Sequence, residues 1–409
     1  MLLFFFLTFV AGIIVCREKT GGAEFFVGVY AAAGLLLCLA GLEIVGGSVE
    51  SLKSDELFYI ETATATDWDE LREKKRALWH GVNYWVLNFD LGLSGLALKV
   101  INIPLYVLLV LFIYKLFDRR QIIWLLPIFL PYSLWIATFN FRDVPILLTT
   151  TLAVFLYAKQ GFQKYYSIAP LILLFMLRPF AAFVLVAIMG GIELLRIVHG
   201  VFIGLVSKRA IMSLVAGTVF TGLVAVVFWD SIVRVSISYY KWFLFTTGEG
   251  RVEHLERVAS AYKSQNILKD LMISMVRYAA TPIPTSVLER ALEGGSAMWG
   301  LVDDLVRLVH QTAYYGMVIY LMAHWRTAIS AMKSLRKEQG IFVLTFLTYW
   351  PIYSLHLYGV THQRSKLPLQ IVVFLFVMLV WSRRSKSERQ KAILHRDRYE
   401  GSQIIRTAQ

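Results

Sequence analysis

The stretch LYVLLVLFIYKLFDRRQIIWLLPIFLPYSLWIATFNFRDVPILLTTTLAVFLYA, residues 105–158, carries its charges in two short turns and at Lys115 just before the first of them, and is otherwise mostly apolar. The first, Asp118-Arg119-Arg120, is net basic; the second, Arg142-Asp143, is net neutral. Apolar runs of about 20 residues match the hydrocarbon thickness of a bilayer, and basic loops stay on the cytoplasmic side. Two turns that differ in this way predict helices crossing a membrane in alternate directions, with Arg119 and Arg120 inside and Arg142 and Asp143 outside.

Extended along the chain, the same reading gives apolar segments at 2–16, 24–47, 91–117, 121–139, 144–158, 166–177, 180–206, 210–230, 311–331, 340–358 and 367–382. The expected fold is therefore all-α, a polytopic transmembrane helix bundle of about eleven helices. Composition agrees: the 409 residues are 57% hydrophobic and the mean hydropathy is +0.60. Basic connections at Arg17/Lys19, Asp118 to Arg120, Lys159 to Lys164, Lys208-Arg209 and Lys333 to Lys337 place those loops in the cytoplasm. The amino terminus then lies outside, the carboxyl terminus inside, and the expected location is the inner membrane. The stretch 167–206 is divided at Arg178-Pro179, because proline ends helices and a mid-bilayer arginine is costly.

Two domains are expected: a membrane domain over 1–382 and a basic cytoplasmic tail over 383–409, with eight Lys or Arg against three acids. Outer loops 48–90 and 231–310 are long enough to carry amphipathic helices, over Trp68 to Trp85, Ser231 to Trp242 and Val252 to Leu271. Thr281-Pro282-Ile283-Pro284 interrupts the pattern. The formal charge of +13 is absorbed by the cytoplasmic loops and tail, so no nucleic-acid partner is expected. Cys16 and Cys38 supply neither a disulfide framework nor a metal spacing. The segment ending at Cys16 has no basic region before it and no small-residue cleavage pattern after it, so it is expected to remain as the first membrane helix.

With this orientation Asp55, Glu56, Arg142, Asp143, Arg178, His362, Arg364 and Lys366 fall at one end of the bundle, on its non-cytoplasmic side. Ionisable groups next to hydrocarbon are costly, and a convergent set of them points to a site. Asp55 and Glu56 open the first outer loop; a carboxylate at the membrane surface can act as general base toward a hydroxyl, or simply cap a helix. Arg142 precedes Pro145 at the start of a helix, where its planar fork suits a phosphate or carboxylate; an Arg-Asp interfacial pair explains it equally well. His362, Arg364 and Lys366 put three cations into five positions on the outer side, against the positive-inside trend. A diphosphate would account for such a cluster, and an ordinary basic connector is the alternative. Arg178 and Arg251 are further candidates of the same kind. His80, His254 and His310 are scattered, so no metal site is expected, and no cofactor-binding loop, nucleophile elbow, HExxH or CxxC pattern occurs.

Asp55-Glu56 with Tyr59, Arg142-Asp143 at a helix start, and Arg364, Lys366 and Pro368 ahead of the last helix resemble the multi-pass glycosyltransferases of the GT-C superfamily and the bacterial polysaccharide polymerases of the Wzy and EpsG kind. The resemblance implies a polyprenyl-phosphate or polyprenyl-diphosphate sugar donor and a reaction on the outer face. It implies Asp55, with Glu56 beside it, as base or acceptor-binding residue, and Arg142 and Arg364 as lipid-phosphate ligands. The implied partners are a polyprenyl-linked glycan donor, a glycan acceptor, membrane lipids and other polysaccharide-assembly proteins. No soluble carboxyl-terminal domain, second acidic site or Trp-Trp-Asp-type motif is found, which favours a compact transferase or polymerase over an oligosaccharyltransferase. A transporter or flippase of an anionic or lipid-linked solute would use the same cations, and a scaffold for other glycan enzymes would need none of them.

Overall fold

The computed structural model describes residues 54–65, 77–88, 98, 101–118, 120–158, 165–202, 267–292, 298–354 and 363–385. The expected helices at 2–16, 24–47 and 210–230, Arg251, His362 and the tail beyond 385 lie outside the described residues. Among the described residues the secondary structure is helical throughout, without strands. The chain is all-α.

Helices α1 (Ser54–Ala65) and α2 (Ala77–Asn88) pack against each other, with His80 edge-on to Tyr59 at 5.4 Å between ring centroids. The second overlaps the end of the stretch expected as a surface helix, Trp68 to Trp85, and runs on to Asn88; it buries Trp79, His80 and Asn83 and leaves Trp85 exposed. Helix α3 (Asn102–Leu116) is the described part of the expected 91–117 segment. It ends where Asp118 takes a left-handed backbone, φ 61°, a conformation aspartate tolerates better than most residues. The carbonyl of Leu116 accepts from Arg336 at 3.1 Å and Gln339 at 3.2 Å, so a neighbouring helix start satisfies this helix end.

The segment 121–139, expected as one helix, is broken into a 3₁₀ turn (Gln121–Leu125), α4 (Leu126–Phe129) and α5 (Pro131–Ala137). Pro127 and Pro131 explain the breaks: each lacks a backbone donor and sits in a first turn, where that loss is harmless. Next come α6 (Asp143–Ala158), α7 (Ile168–Leu177) and α8 (Pro179–Phe202). The break at Arg178 is present, with φ −155° and ψ 93°, and it folds α7 back against α8 so that Phe175 meets Phe183. Then follow α9 (Ile267–Ala280), α10 (Pro284–Leu292), α11 (Met298–Ala323), α12 (Trp325–Lys333) and α13 (Lys337–Ser354). The expected 311–331 helix is instead a longer helix that starts earlier, stops at His324 and gives way to a separate short one. A 3₁₀ turn (Gln363–Lys366) leads into α14, 367–385.

Among the described residues one helix, Arg364–Ser385, is long and apolar enough to cross a membrane. Shorter apolar helices are Asn102–Leu116, Asp143–Ala158, Tyr165–Leu177, Pro179–Leu195 and Leu271–Ala280. They enclose a core of large side chains that includes Trp124, Trp135, Tyr106, Tyr114, Phe342, Phe346 and Phe374.

Candidate functional site

Long-range contacts sort the helix ends into two groups. Asn102 meets the turn between α5 and α6, Arg142 meets the end of α7, Arg178 meets Tyr353 near the end of α13, and Arg364 meets Asp143. The start of α1 joins them through Glu56, and the end of α9 through Thr281 and Lys366. At the opposite end Asp118 pairs with Arg336 at 2.6 Å, Tyr157 with Glu193, and Arg384 with His324. The described sequence candidates Glu56, Arg142, Asp143, Arg178, Arg364 and Lys366 thus belong to one end.

The turn from Phe139 to Asp143 is the centre of this end. Asn102 donates through Nδ2 to the carbonyls of Phe139 at 2.7 Å and Phe141 at 2.6 Å. The Asn140 backbone N–H donates to Glu56 Oε1 at 2.8 Å, and its side-chain amide donates to Asn83 Oδ1. Asn83 in turn donates to the Trp79 carbonyl at 2.7 Å. Three separate helices, α1, α2 and α3, therefore hold one turn through fully buried polar side chains. Buried polar groups of this kind are costly unless bonded, so the interlock fixes one backbone geometry.

Two of the expected site residues bond the backbone of other segments. Glu56 is fully buried, and its carboxylate accepts from the Asn140 amide. Arg142 donates to the carbonyl of Leu177 at 2.8 Å, so its guanidinium caps the C-terminal end of α7, where a cation is favoured. Asp55 lies on the first turn of α1.

Arg364 lies 4.4 Å above the Phe141 ring and 3.8 Å from the Asp143 carboxylate, with the two charged side chains only 20% and 13% exposed. Asp143 stands in the first turn of α6, where the helix dipole favours an anion. Arg178 stacks between Phe180 at 5.5 Å and Tyr353 at 5.2 Å and donates to the Tyr353 hydroxyl. Lys366 is buried; its ammonium donates to the Thr281 hydroxyl at 2.6 Å and to the Thr281 carbonyl, and lies 5.4 Å from the Tyr278 ring. Arg277 is close enough to act electrostatically on Lys366, and Arg178 on Tyr278.

A second polar chain flanks this group and escaped sequence reasoning. Trp135 donates to Asp303 at 2.7 Å, Asp303 pairs with Arg307 at 2.8 Å, and Arg307 lies 5.5 Å over the Tyr132 ring. Trp135 packs edge-on to Phe139, Phe139 stacks on Phe141, and Arg364 lies over Phe141, which links the two groups. His310 accepts from the Tyr132 backbone at 3.3 Å and bonds Gln370 at 2.9 Å. The usable signal was Asn102 and Gln370 inside apolar runs, and Asp303 and His310 at the end of the stretch expected as the outer loop 231–310; attention to clustered charges alone passes over them. Among the described residues no group of three or more His, Cys, Asp or Glu is placed to hold a metal ion.

No family model, no curated protein and no solved structure matches this chain.

Proposed function

We propose that this chain is a multi-pass inner-membrane glycosyltransferase or polysaccharide polymerase, acting on polyprenyl-phosphate or polyprenyl-diphosphate sugars at the outer face during cell-surface polysaccharide assembly. The observation that carries the reading is the contact of Arg364 with Asp143 and Phe141, which joins two of the three motifs behind the resemblance at one end of an apolar helix bundle. Arg142, Arg178 and Lys366 lie at the same end, bonded to Leu177, Tyr353 and Thr281, and the positive charge gathered there supports a lipid diphosphate as the ligand. A partly desolvated arginine with an aromatic ring beneath it suits the planar oxygens of a phosphate.

In this reading Asp55 removes the proton from an acceptor hydroxyl, the oxygen attacks the anomeric carbon, and the bond to the lipid phosphate breaks. The departing electron pair is stabilised by Arg364 with Arg142, Arg178 and Lys366. Arg251 and His362 are further proposed phosphate contacts. Donor and acceptor glycans, membrane lipids and other polysaccharide-assembly proteins are the partners.

Purified wild type, Asp55→Asn and Arg364→Ala, each given polyprenyl-diphosphate oligosaccharide in detergent, test the reading. Lengthened lipid-linked glycan from wild type and not from folded variants supports it. No product from folded wild type, with uptake or translocation of the lipid-linked solute in vesicles, transfers the site to a transporter or flippase.

A further inference from the structure

The short helix α12, Trp325–Lys333, separates its surface into three stripes. At the helical period of 100° per residue, Ala328 and Ala331 share the face turned toward the body of the protein, and Ala331 is buried. Trp325, Ile329 and Met332 form the next stripe and are 57%, 40% and 51% exposed. Arg326, Ser330 and Lys333 form the third, all exposed. An exposed row of one aromatic and two large aliphatic side chains is unfavourable in water.

The surroundings supply the charge. Arg383 donates to Ser330 at 2.7 Å and to Ser334, and Arg384 bonds His324, so the end of α14 lies against this helix. Arg336 and Lys337 follow directly and are exposed. Six cations, Arg326, Lys333, Arg336, Lys337, Arg383 and Arg384, therefore surround α12 among the described residues, while the adjacent acids Asp118 and Glu338 are both paired with Arg336. Trp325 and Trp381, 49% exposed, are both large aromatics at this end of the molecule, as in the aromatic belt at a bilayer surface.

We infer that α12 is an in-plane anchor that seats its Trp325–Ile329–Met332 stripe in the acyl boundary of the cytoplasmic leaflet and turns its basic stripe to anionic lipid headgroups. The chemistry is that of interfacial amphipathic helices: buried apolar area plus attraction to anionic lipid. It also accounts for the stop at His324, because a helix continuing straight past Ala323 would carry Arg326 and Lys333 along the path of a bilayer-crossing segment. The inference rests on the membrane-spanning part of the proposed function and is independent of any transfer chemistry.

The test uses the full chain with Cys16 and Cys38 replaced by serine, in nanodiscs of phosphatidylglycerol or of phosphatidylcholine. Nitroxide labels go on Ile329→Cys, Met332→Cys, Ser330→Cys and, as a membrane reference, Leu173→Cys on α7, which is 42% exposed. Accessibility to oxygen against a water-soluble nickel chelate is read at each site. The expected result is lipid-like accessibility at 329, 332 and 173 and water-like accessibility at 330. The lipid-like character of 329 and 332 should be stronger in phosphatidylglycerol and should weaken in Arg326→Gln and Lys333→Gln, each lost charge lowering the ratio of seated to unseated helix by roughly fivefold. Lipid-like 173 with water-like 329 and 332 overturns the anchor and leaves the membrane reading standing. Water-like values at 173 as well overturn both. Shielding of 329 and 332 from both reagents makes the stripe a protein interface, and equal values in the two lipids remove the headgroup component; either result overturns the inference as stated.

Discussion

Glu56 and Asn140 are joined by a buried hydrogen bond, carboxylate oxygen to backbone amide, at 2.8 Å. The bond ties the first described helix to the turn that opens α6, two residues before Arg142 and three before Asp143. In the proposed site a carboxylate used in this way would set the position of Arg142 and Asp143, and its contribution would be preorganisation.

The Glu56 substitutions should therefore separate by hydrogen bonding, not by charge. Glu56→Gln keeps an oxygen that can accept from Asn140 and should retain most product formation. Glu56→Ala leaves the Asn140 amide buried without that acceptor, at a cost of about 1–3 kcal/mol, and should lower both stability and turnover. Denaturant midpoints and initial rates measured on the same preparations check this. Loss of turnover in a stable Glu56→Gln would instead return Glu56 to acid-base chemistry.

Arg364 should be more sensitive to shape than to charge. Its guanidinium is stacked on Phe141 and faces Asp143, a planar arrangement that lysine cannot reproduce. Arg364→Lys is expected to raise the apparent KM for the lipid-linked donor about tenfold, the size of a partly desolvated cation–π contact, with a smaller change in kcat. Steady-state rates at varied donor concentration provide the readout.

Helix class and the punctuation of the chain were legible in sequence because proline and charge act locally. Arg178-Pro179 ends one helix and starts the next where the residues themselves demand it. The double break at Pro127 and Pro131 carried the same signal inside a segment apolar enough to pass as one helix. What sequence could not supply were the partners of the charges. Nothing local says that Arg142 caps Leu177, that Glu56 grips Asn140, or that Lys366 grips Thr281, since each bond joins distant segments. The asparagines were missed for the converse reason: neutral side chains in apolar runs carry little weight in a charge-based reading, although burial makes their bonds decisive.

Lys366 should prove both structural and specific to one partner. Its ammonium bonds the carbonyl and hydroxyl of Thr281 at the break between α9 and α10. Gln311 also donates to that carbonyl at 3.3 Å, so Lys366→Met leaves it one partner, and the expected loss is about 1 kcal/mol. Thr281→Val removes the hydroxyl that accepts from Lys366 and donates to the Arg277 carbonyl at 2.8 Å, leaves the carbonyl bond to Lys366 in place, and should cost a similar amount. If Lys366 also contacts the lipid phosphate, Lys366→Met lowers transfer well beyond Thr281→Val at matched stability, which paired unfolding and rate measurements decide.

The Trp135–Asp303–Arg307 chain should behave as one unit. The Asp303 side chain is 8% exposed and its two oxygens are divided between the Trp135 indole N–H and the Arg307 guanidinium. Asp303→Ala takes the carboxylate away from a part-buried arginine and an acceptor away from the Trp135 indole N–H, and should destabilise by about 3 kcal/mol. Asp303→Asn can still accept from Trp135 and should cost less. A double-mutant cycle with Arg307→Gln is expected to give a coupling of about 1–2 kcal/mol, because the two groups share one contact. Additive effects would mean that Arg307 is held chiefly by its stacking on Tyr132, in which case Tyr132→Leu, and not Asp303→Asn, should be the substitution that couples to it.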